Sequence, residues 1–320
     1  IHFTLGVLYG RVGQFSAAIQ QLSRALELAP QAIEIRVALG LTYELDQQPE
    51  KALAHYEDAV RLDPLNPRLY QHAARVYASQ QRFAKAIQHY ETLVDLVPSD
   101  VDAIVGLSRL LVLAGRLEDA QRLLGHKLQT LGQPYELYLM LGLVYREAGA
   151  PTEALRAFER AAKLKADSAH AAFYVGAQLE RLNRPSEARE HLRRAIALDP
   201  SHADALNYLG YMDAEQGVNL QEAKTLIERA LALEPDNGAY VDSLGWVYYH
   251  LGELDEAIRH LERAAELLAT DPTIFDHLGD AYVKQGDVDR AQRAWEKAME
   301  LDGTLDAVKR KLEQLLHREA

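Results

Sequence analysis

Side chains suited to holding a polypeptide recur at helical spacing near the end of the sequence. Asn207 and Tyr211 are four apart, Asp242 and Trp246 four, Trp246 and Tyr249 three, Asp276 and Asp280 four. On an α-helix, residues three or four apart share a face. Flat rings flanked by carboxylates suit an extended or helical segment carrying Lys or Arg. Bond-breaking chemistry finds no comparable set. Gly-x-Ser-x-Gly, Gly-x-x-x-x-Gly-Lys, Gly-x-Gly-x-x-Gly and His-Glu-x-x-His are all absent. With no cysteine, the chain has no disulfide framework, thiolate zinc site or cysteine nucleophile. Twelve histidines are present, yet none forms a two-His pair at helical spacing beside a carboxylate. The sequence therefore reads as a non-enzyme without cofactor or metal.

Composition sets outer limits. The 320 residues are 48% hydrophobic and 26% charged, which describes a folded chain. A net charge of −12 argues against nucleic acid or an anionic lipid surface as the target, because such binders need a basic footprint. No apolar run is long enough to span a membrane. The charge is uneven: residues 1–200 carry 23 basic and 23 acidic groups, and residues 201–320 carry 12 and 24.

Those side chains need elements to position them, and the elements announce themselves by period. Gly6, Gly40, Ala74, Ser108, Gly142, Gly176, Gly210, Gly245 and Gly279 are spaced by 34 residues, with one interval of 35. Twelve residues after each, thirteen in the seventh unit, stands an alanine: Ala18, Ala52, Ala86, Ala120, Ala154, Ala188, Ala223, Ala257 and Ala291. Seven further on, most units carry another: Ala25, Ala59, Ala161, Ala195, Ala230, Ala264 and Ala298. Small residues at such offsets let two helices approach closely. Gly13, Gly115, Gly149, Gly217, Gly252 and Gly286, with Asn183, fall where the first helix must end in a left-handed residue. Pro30, Pro64, Pro98, Pro200 and Pro235 stop the second helix. Tyr9, Tyr43, Tyr77, Tyr145, Tyr248 and Tyr282 recur between these marks.

Leu-Gly-x-x-Tyr, then Ala, an aromatic or Leu, Ala and Pro at this period resembles the tetratricopeptide-repeat (TPR) family over nine units. The resemblance implies an all-α fold, a right-handed α-solenoid of helix-turn-helix repeats whose first helices line a concave groove. The units run about 1–32, 33–66, 67–100, 101–134, 135–168, 169–202, 203–237, 238–271 and 272–303, followed by a capping helix over 304–320. Thr304 is expected to cap that helix. Leu305, Val308, Leu312, Leu315 and Leu316 would form its apolar face, with Lys309, Arg310, Lys311, Glu313 and Arg318 solvated. Ile1 falls two residues into the first repeat, so further chain is expected before it.

By the same resemblance, positions two, five, nine and twelve of each repeat face the groove. In the later repeats these include Asn207, Tyr211, Asp242, Trp246, Tyr249, Asp276 and Asp280, a floor for a basic segment. In repeats three and four they include Arg68, Gln71, Arg75 and Arg109, a secondary basic stretch. The alternative is structural: tyrosine is common at position twelve and Trp246 merely covers its neighbour. The uneven charge either orients a partner or serves solubility alone. The two-carboxylate clamp of chaperone-binding TPR proteins is not supplied by any three consecutive repeats, and the asparagine ladder of the O-GlcNAc transferases is absent. Residues 205–211, 242–249 and 277–280 resemble bacterial cell-envelope TPR lipoproteins, including the adaptor of a carboxyl-terminal processing protease. That implies a protease or envelope-complex partner and a periplasmic, outer-membrane-associated place, with the cytoplasm as the alternative. The function read here is a protein-binding scaffold or adaptor; a regulatory arm of a larger enzyme and a self-assembling scaffold are the alternatives.

Two places break the pattern. Leu93 and Lys127 replace the later alanine of repeats three and four, Leu111 replaces a tyrosine, and Gly125 falls inside a helix. The expectation is a changed angle or soft hinge between about residues 90 and 135, against drift within a tolerant fold. In repeat seven Asp213 takes the tyrosine position and one residue is inserted, so Asp213 needs a polar partner or solvent and the turn should lengthen.

Overall fold

A computed structural model describes residues 1–319, with side chains as far as Leu315. Among the described residues all regular structure is α-helical, in nineteen helices. They fall in two compact units.

The first unit, Ile1–Leu164, holds five helix pairs. They are α1 (His2–Arg11) with α2 (Phe15–Leu28), α3 (Ile33–Leu45) with α4 (Pro49–Leu62), and α5 (Pro67–Ser79) with α6 (Phe83–Leu96). Next come α7 (Val101–Leu113) with α8 (Leu117–Thr130), and α9 (Tyr135–Glu147) with α10 (Pro151–Leu164). Small residues set the approach within each pair. A methyl group at Gly40 would lie 2.5 Å from a ring carbon of Tyr56, so only hydrogen fits there. Ala18, Ala52, Ala86, Ala120 and Ala154 are all fully buried. Where the pattern breaks, the structure compensates locally. Ser108 is buried and donates its hydroxyl to the Ile104 carbonyl at 2.8 Å. Lys127 lays its stem in the alanine slot and donates from Nζ to the Pro98 carbonyl at 3.0 Å.

The second unit begins at Lys165. It holds α11 (Ala169–Arg181) with α12 (Pro185–Leu198), α13 (Ala203–Glu215) with α14 (Leu220–Leu233), and α15 (Gly238–Leu251) with α16 (Leu254–Leu267). Then follow α17 (Pro272–Gln285) with α18 (Val288–Leu301), and a single α19 (Asp306–Glu319). The recurring alanines Ala188, Ala223, Ala257 and Ala291 are again fully buried. Asp213 has two partners: Arg189 Nε donates at 2.6 Å and Asn219 Nδ2 at 3.1 Å. The turn between α13 and α14 takes four residues, against three between α11 and α12.

Turns carry the left-handed residue in register. Gly13, Gly115, Gly149, Gly217, Gly252, Gly286 and Asn183 have positive φ, and so do Gln47 and Gln81, the two turns where no glycine or asparagine marked the position.

The terminal helix corrects two expectations. Thr304 does not cap it: the helix starts at Asp306, and Thr304 donates its hydroxyl to Asp302 at 2.7 Å. Val308 and Leu315 are buried, with Leu305 and Leu312 partly so, against Trp295 and Ala298. Lys309, Arg310 and Glu313 are exposed, but Lys311 is not on the solvated face. The side chains of Leu316 and Arg318 lie outside the described residues.

Candidate functional site

Helices α13, α15 and α17, the first helices of successive pairs, carry the aromatic and acidic residues singled out from the sequence. Trp246 is only 8% exposed. Its indole lies flat between the Tyr249 ring, 4.5 Å away and 3° from parallel, and the His277 imidazole, 4.0 Å away at 14°. Its Nε1 has no hydrogen-bond partner among the described residues, so stacking holds the ring. His277 Nδ1 lies 2.9 Å from one Asp242 oxygen and 3.1 Å from the other, with both residues buried. Burial by itself favours a neutral imidazole. The Asp242 charge and hydrogen bond outweigh it and hold His277 above the usual histidine range. On the other side of the stack, Lys284 Nζ sits 4.1 Å from the Tyr249 ring centroid and donates to the Tyr249 carbonyl at 2.8 Å. The column thus reads Lys284, Tyr249, Trp246, His277, Asp242.

Three expectations need correcting on this geometry. Trp246 is not an open floor residue; it is a buried support beneath Tyr249. Asp242 is not free for a partner, because an unpaired buried carboxylate is costly and His277 neutralises it. Asp276 and Asp280 are not open either: Lys311 of α19 places Nζ 2.7 Å from an oxygen of each. Two half-buried carboxylates one turn apart repel each other, and burial pushes the Asp280 carboxyl up while Lys311 opposes it. Tyr249, Tyr211 and Asn207 are half-buried on the face, and the Asn207 Oδ1 is itself buried without a hydrogen-bond partner among the described residues. Tyr211 lies 6.3 Å from His277. Burial first, and then the neighbouring Glu215, push its phenol above the usual range.

His277, Lys284 and Lys311 were not foreseen. A signal for them exists: each lies 35 residues after its partner Asp242, Tyr249 or Asp276, one period plus one.

In the first unit Arg68, Gln71, Arg75 and Arg109 are all exposed. Among the described residues, only Arg75 of the three arginines is paired within the chain. Arg75 NH2 lies 3.1 and 2.9 Å from the two Glu44 oxygens, and Glu44 also accepts from the Tyr56 hydroxyl. Arg68 borders a cavity of about 370 Å³ between α3 and α5, with Glu34, Val37, Leu41, Leu69 and His72. Among the described residues no cluster of three or more His, Asp or Glu side chains is placed to hold a metal ion, and no helix is long and apolar enough to cross a membrane.

Comparison with known families follows the same units. Models described as TPR or tetratricopeptide repeats match residues 3–67, 45–95, 77–141, 135–168, 169–212, 245–286 and 273–304. The chain is a tetratricopeptide-repeat protein. Among its relatives, TPR repeat-containing protein PA4667 of Pseudomonas aeruginosa is 28% identical over 152 residues, 47% of this chain and 26% of that protein. Human Protein O-mannosyl-transferase TMTC1 is 26% identical over 210 residues, 64% of this chain and 20% of that protein. This TPR chain spans under half the length of the curated relatives it matches. The solved structure of the APC/C hetero-tetramer Cut9–Hcn1 superposes with a TM-score of 0.67 at 19% identity, covering 93% of this chain and 58% of that one. At that identity the likeness concerns the fold, an all-helical TPR solenoid.

Proposed function

We propose that this TPR chain is a non-catalytic scaffold or adaptor that binds a polypeptide segment on the first helices of its repeats, with the α13–α15–α17 face taking a segment that carries Lys or Arg. The observation that carries the reading is the supported ring of Tyr249. It is half-buried, stacked on a buried tryptophan, and already covered on one side by an ammonium group of the chain itself. Lys311 across Asp276 and Asp280 makes the same point. Both places recognise ammonium groups, and a partner's Lys or Arg would exchange with Lys284 or add beside Tyr211 and Asn207. Rigid aromatic anchors of this kind supply much of the affinity in a polypeptide interface.

Panning a randomised peptide library on the chain tests this. Enrichment for peptides containing Lys or Arg is expected, and its loss in the Tyr211→Ala/Tyr249→Ala double variant. Undiminished enrichment in that variant would move the site elsewhere.

For the finer setting we infer a bacterial envelope complex, on the likeness of 205–211, 242–249 and 277–280 to envelope TPR lipoproteins. Co-purification with a carboxyl-terminal processing protease from a native host checks it, with the double variant as control. A second reading, an arm of a larger enzyme, is favoured by the match to a small part of a protein named as a mannosyl-transferase. The sequence of the full gene product distinguishes the two.

A further inference from the structure

We propose that the first unit carries a binding site for a tyrosine side chain presented by a partner, in a cavity between α6, α7 and α8 where Leu111 replaces the recurring tyrosine. The site is separate from the α13–α15–α17 face and does not depend on it.

The chain itself shows what fits such a place. Tyr77, one period earlier, is 3% exposed and donates its hydroxyl to Glu57 Oε1 at 2.8 Å. The Arg82 guanidinium sits 4.7 Å and the Lys85 ammonium 5.2 Å from its ring centroid, and the His89 ring stacks at 5.4 Å. Tyr282 repeats the arrangement, donating to Glu262 Oε1 at 2.7 Å with Arg290 4.5 Å from its ring. In both cases the acceptor lies twenty residues before the tyrosine.

Adding one period of 34 moves Tyr77 to Leu111, Glu57 to Glu91, Arg82 to Arg116, Lys85 to Asp119 and His89 to Leu123. All five line one cavity of about 370 Å³. Its apolar wall is completed by Val94 and Leu107. Leu111 is buried and carries no hydroxyl to donate to Glu91. Among the described residues Glu91 makes no side-chain hydrogen bond or ion pair, whereas Arg116 is already tied to Asp119 at 2.6 Å.

Chemistry selects the occupant. The apolar wall takes a ring, Arg116 at the rim takes its face, and Glu91 takes a hydroxyl proton. Phenylalanine leaves Glu91 unanswered. Arg116 and Arg122 also line the cavity, but both are paired with Asp119. The dianion of a phosphorylated tyrosine would still meet the carboxylates of Glu91 and Asp95, so phosphorylation of the partner would close the site.

Methyl-detected NMR of the full chain tests this with three probes: p-cresol, toluene and p-cresyl phosphate. Saturable shifts at Val94, Leu107 and Leu123 are expected with p-cresol, roughly tenfold weaker binding of toluene, and none of the phosphate ester. Leu111→Tyr supplies the chain's own ring, so p-cresol binding is lost while Tm holds or rises. If that variant fails to fold, Glu91→Ala on the exposed rim serves instead and should bring p-cresol down to the level of toluene. No response to p-cresol in the native chain, equal binding of toluene, or undiminished binding in a folded Leu111→Tyr variant would each overturn the proposal.

Discussion

An imidazole buried as deeply as His277 ordinarily loses its proton, and the Asp242 carboxylate 2.9 Å away prevents it. Five other wholly or partly buried histidines have no carboxylate in hydrogen-bond contact, unlike His89, which meets Glu57 at 3.0 Å. His55, His72, His202, His250 and His260 are all held below the usual range, burial being the leading cause in each. The consequences for stability have opposite signs. A histidine with a depressed pKa leaves the unfolded chain taking up protons that the folded chain refuses, so stability falls as pH drops through about 6.5. For His277 the folded pKa is raised; its contribution is full below about 6.5 and lost as pH rises through the higher folded value. Five against one predicts a Tm that falls between pH 7 and pH 5, checked by calorimetry. In an NMR titration His277 should titrate above 6.5 in the native chain and below it in Asp242→Asn, where only burial is left to act. A His277 titration unchanged by Asp242→Asn would refute the assignment.

The same residues separate support from contact. Trp246→Ala removes a buried ring and should cost about 3–5 kcal/mol by thermal or chemical unfolding. Tyr249→Ala, half-buried, should cost well under half of that while weakening peptide binding. Equal losses of stability would place both rings in the core.

At the scale of elements, the helix pairs were legible because packing leaves chemical marks. A buried alanine recurs in every pair, and a hydrogen-only side chain faces it in all but the third and fourth, as Gly210 does against Ile227, where a methyl would lie 2.7 Å from Cγ1. Gln47 and Gln81 were not legible, because glutamine has no left-handed preference by which residue type could mark the turn. The partners of the site were hidden for another reason. A search along one helix finds residues three or four apart, while His277, Lys284 and Lys311 act across neighbouring helices, where the spacing is 35. Asp213 was legible in kind, since a buried carboxylate demands partners, although nothing in the sequence named Arg189. One element invites repair. Gly125 lies inside α8 with open space where a methyl would go. Gly125→Ala should therefore stabilise the chain by about 0.5–1 kcal/mol in denaturant unfolding. A destabilised variant would mean that α8 needs the glycine, as a soft segment between residues 90 and 135 would.

For the molecule as a whole, the entire excess of negative charge resides after residue 200, where 24 acidic groups face 12 basic ones. If the proposed partner segment is basic, this charge draws it to that half over a distance set by salt, and association should slow as ionic strength rises and the Debye length shortens from about 10 Å at 0.1 M. The central claim is narrower than that field: one face of the second unit, around Tyr249, is where a polypeptide docks. Site-specific photo-crosslinking addresses it most directly. A benzophenone amino acid would be placed at position 249 and, as a control in the same unit, at the exposed Arg293 of α18. Crosslinks from 249 to Lys- or Arg-bearing peptides, with none from 293, are the predicted result. Equal labelling from both positions, or none from 249, would contradict the account.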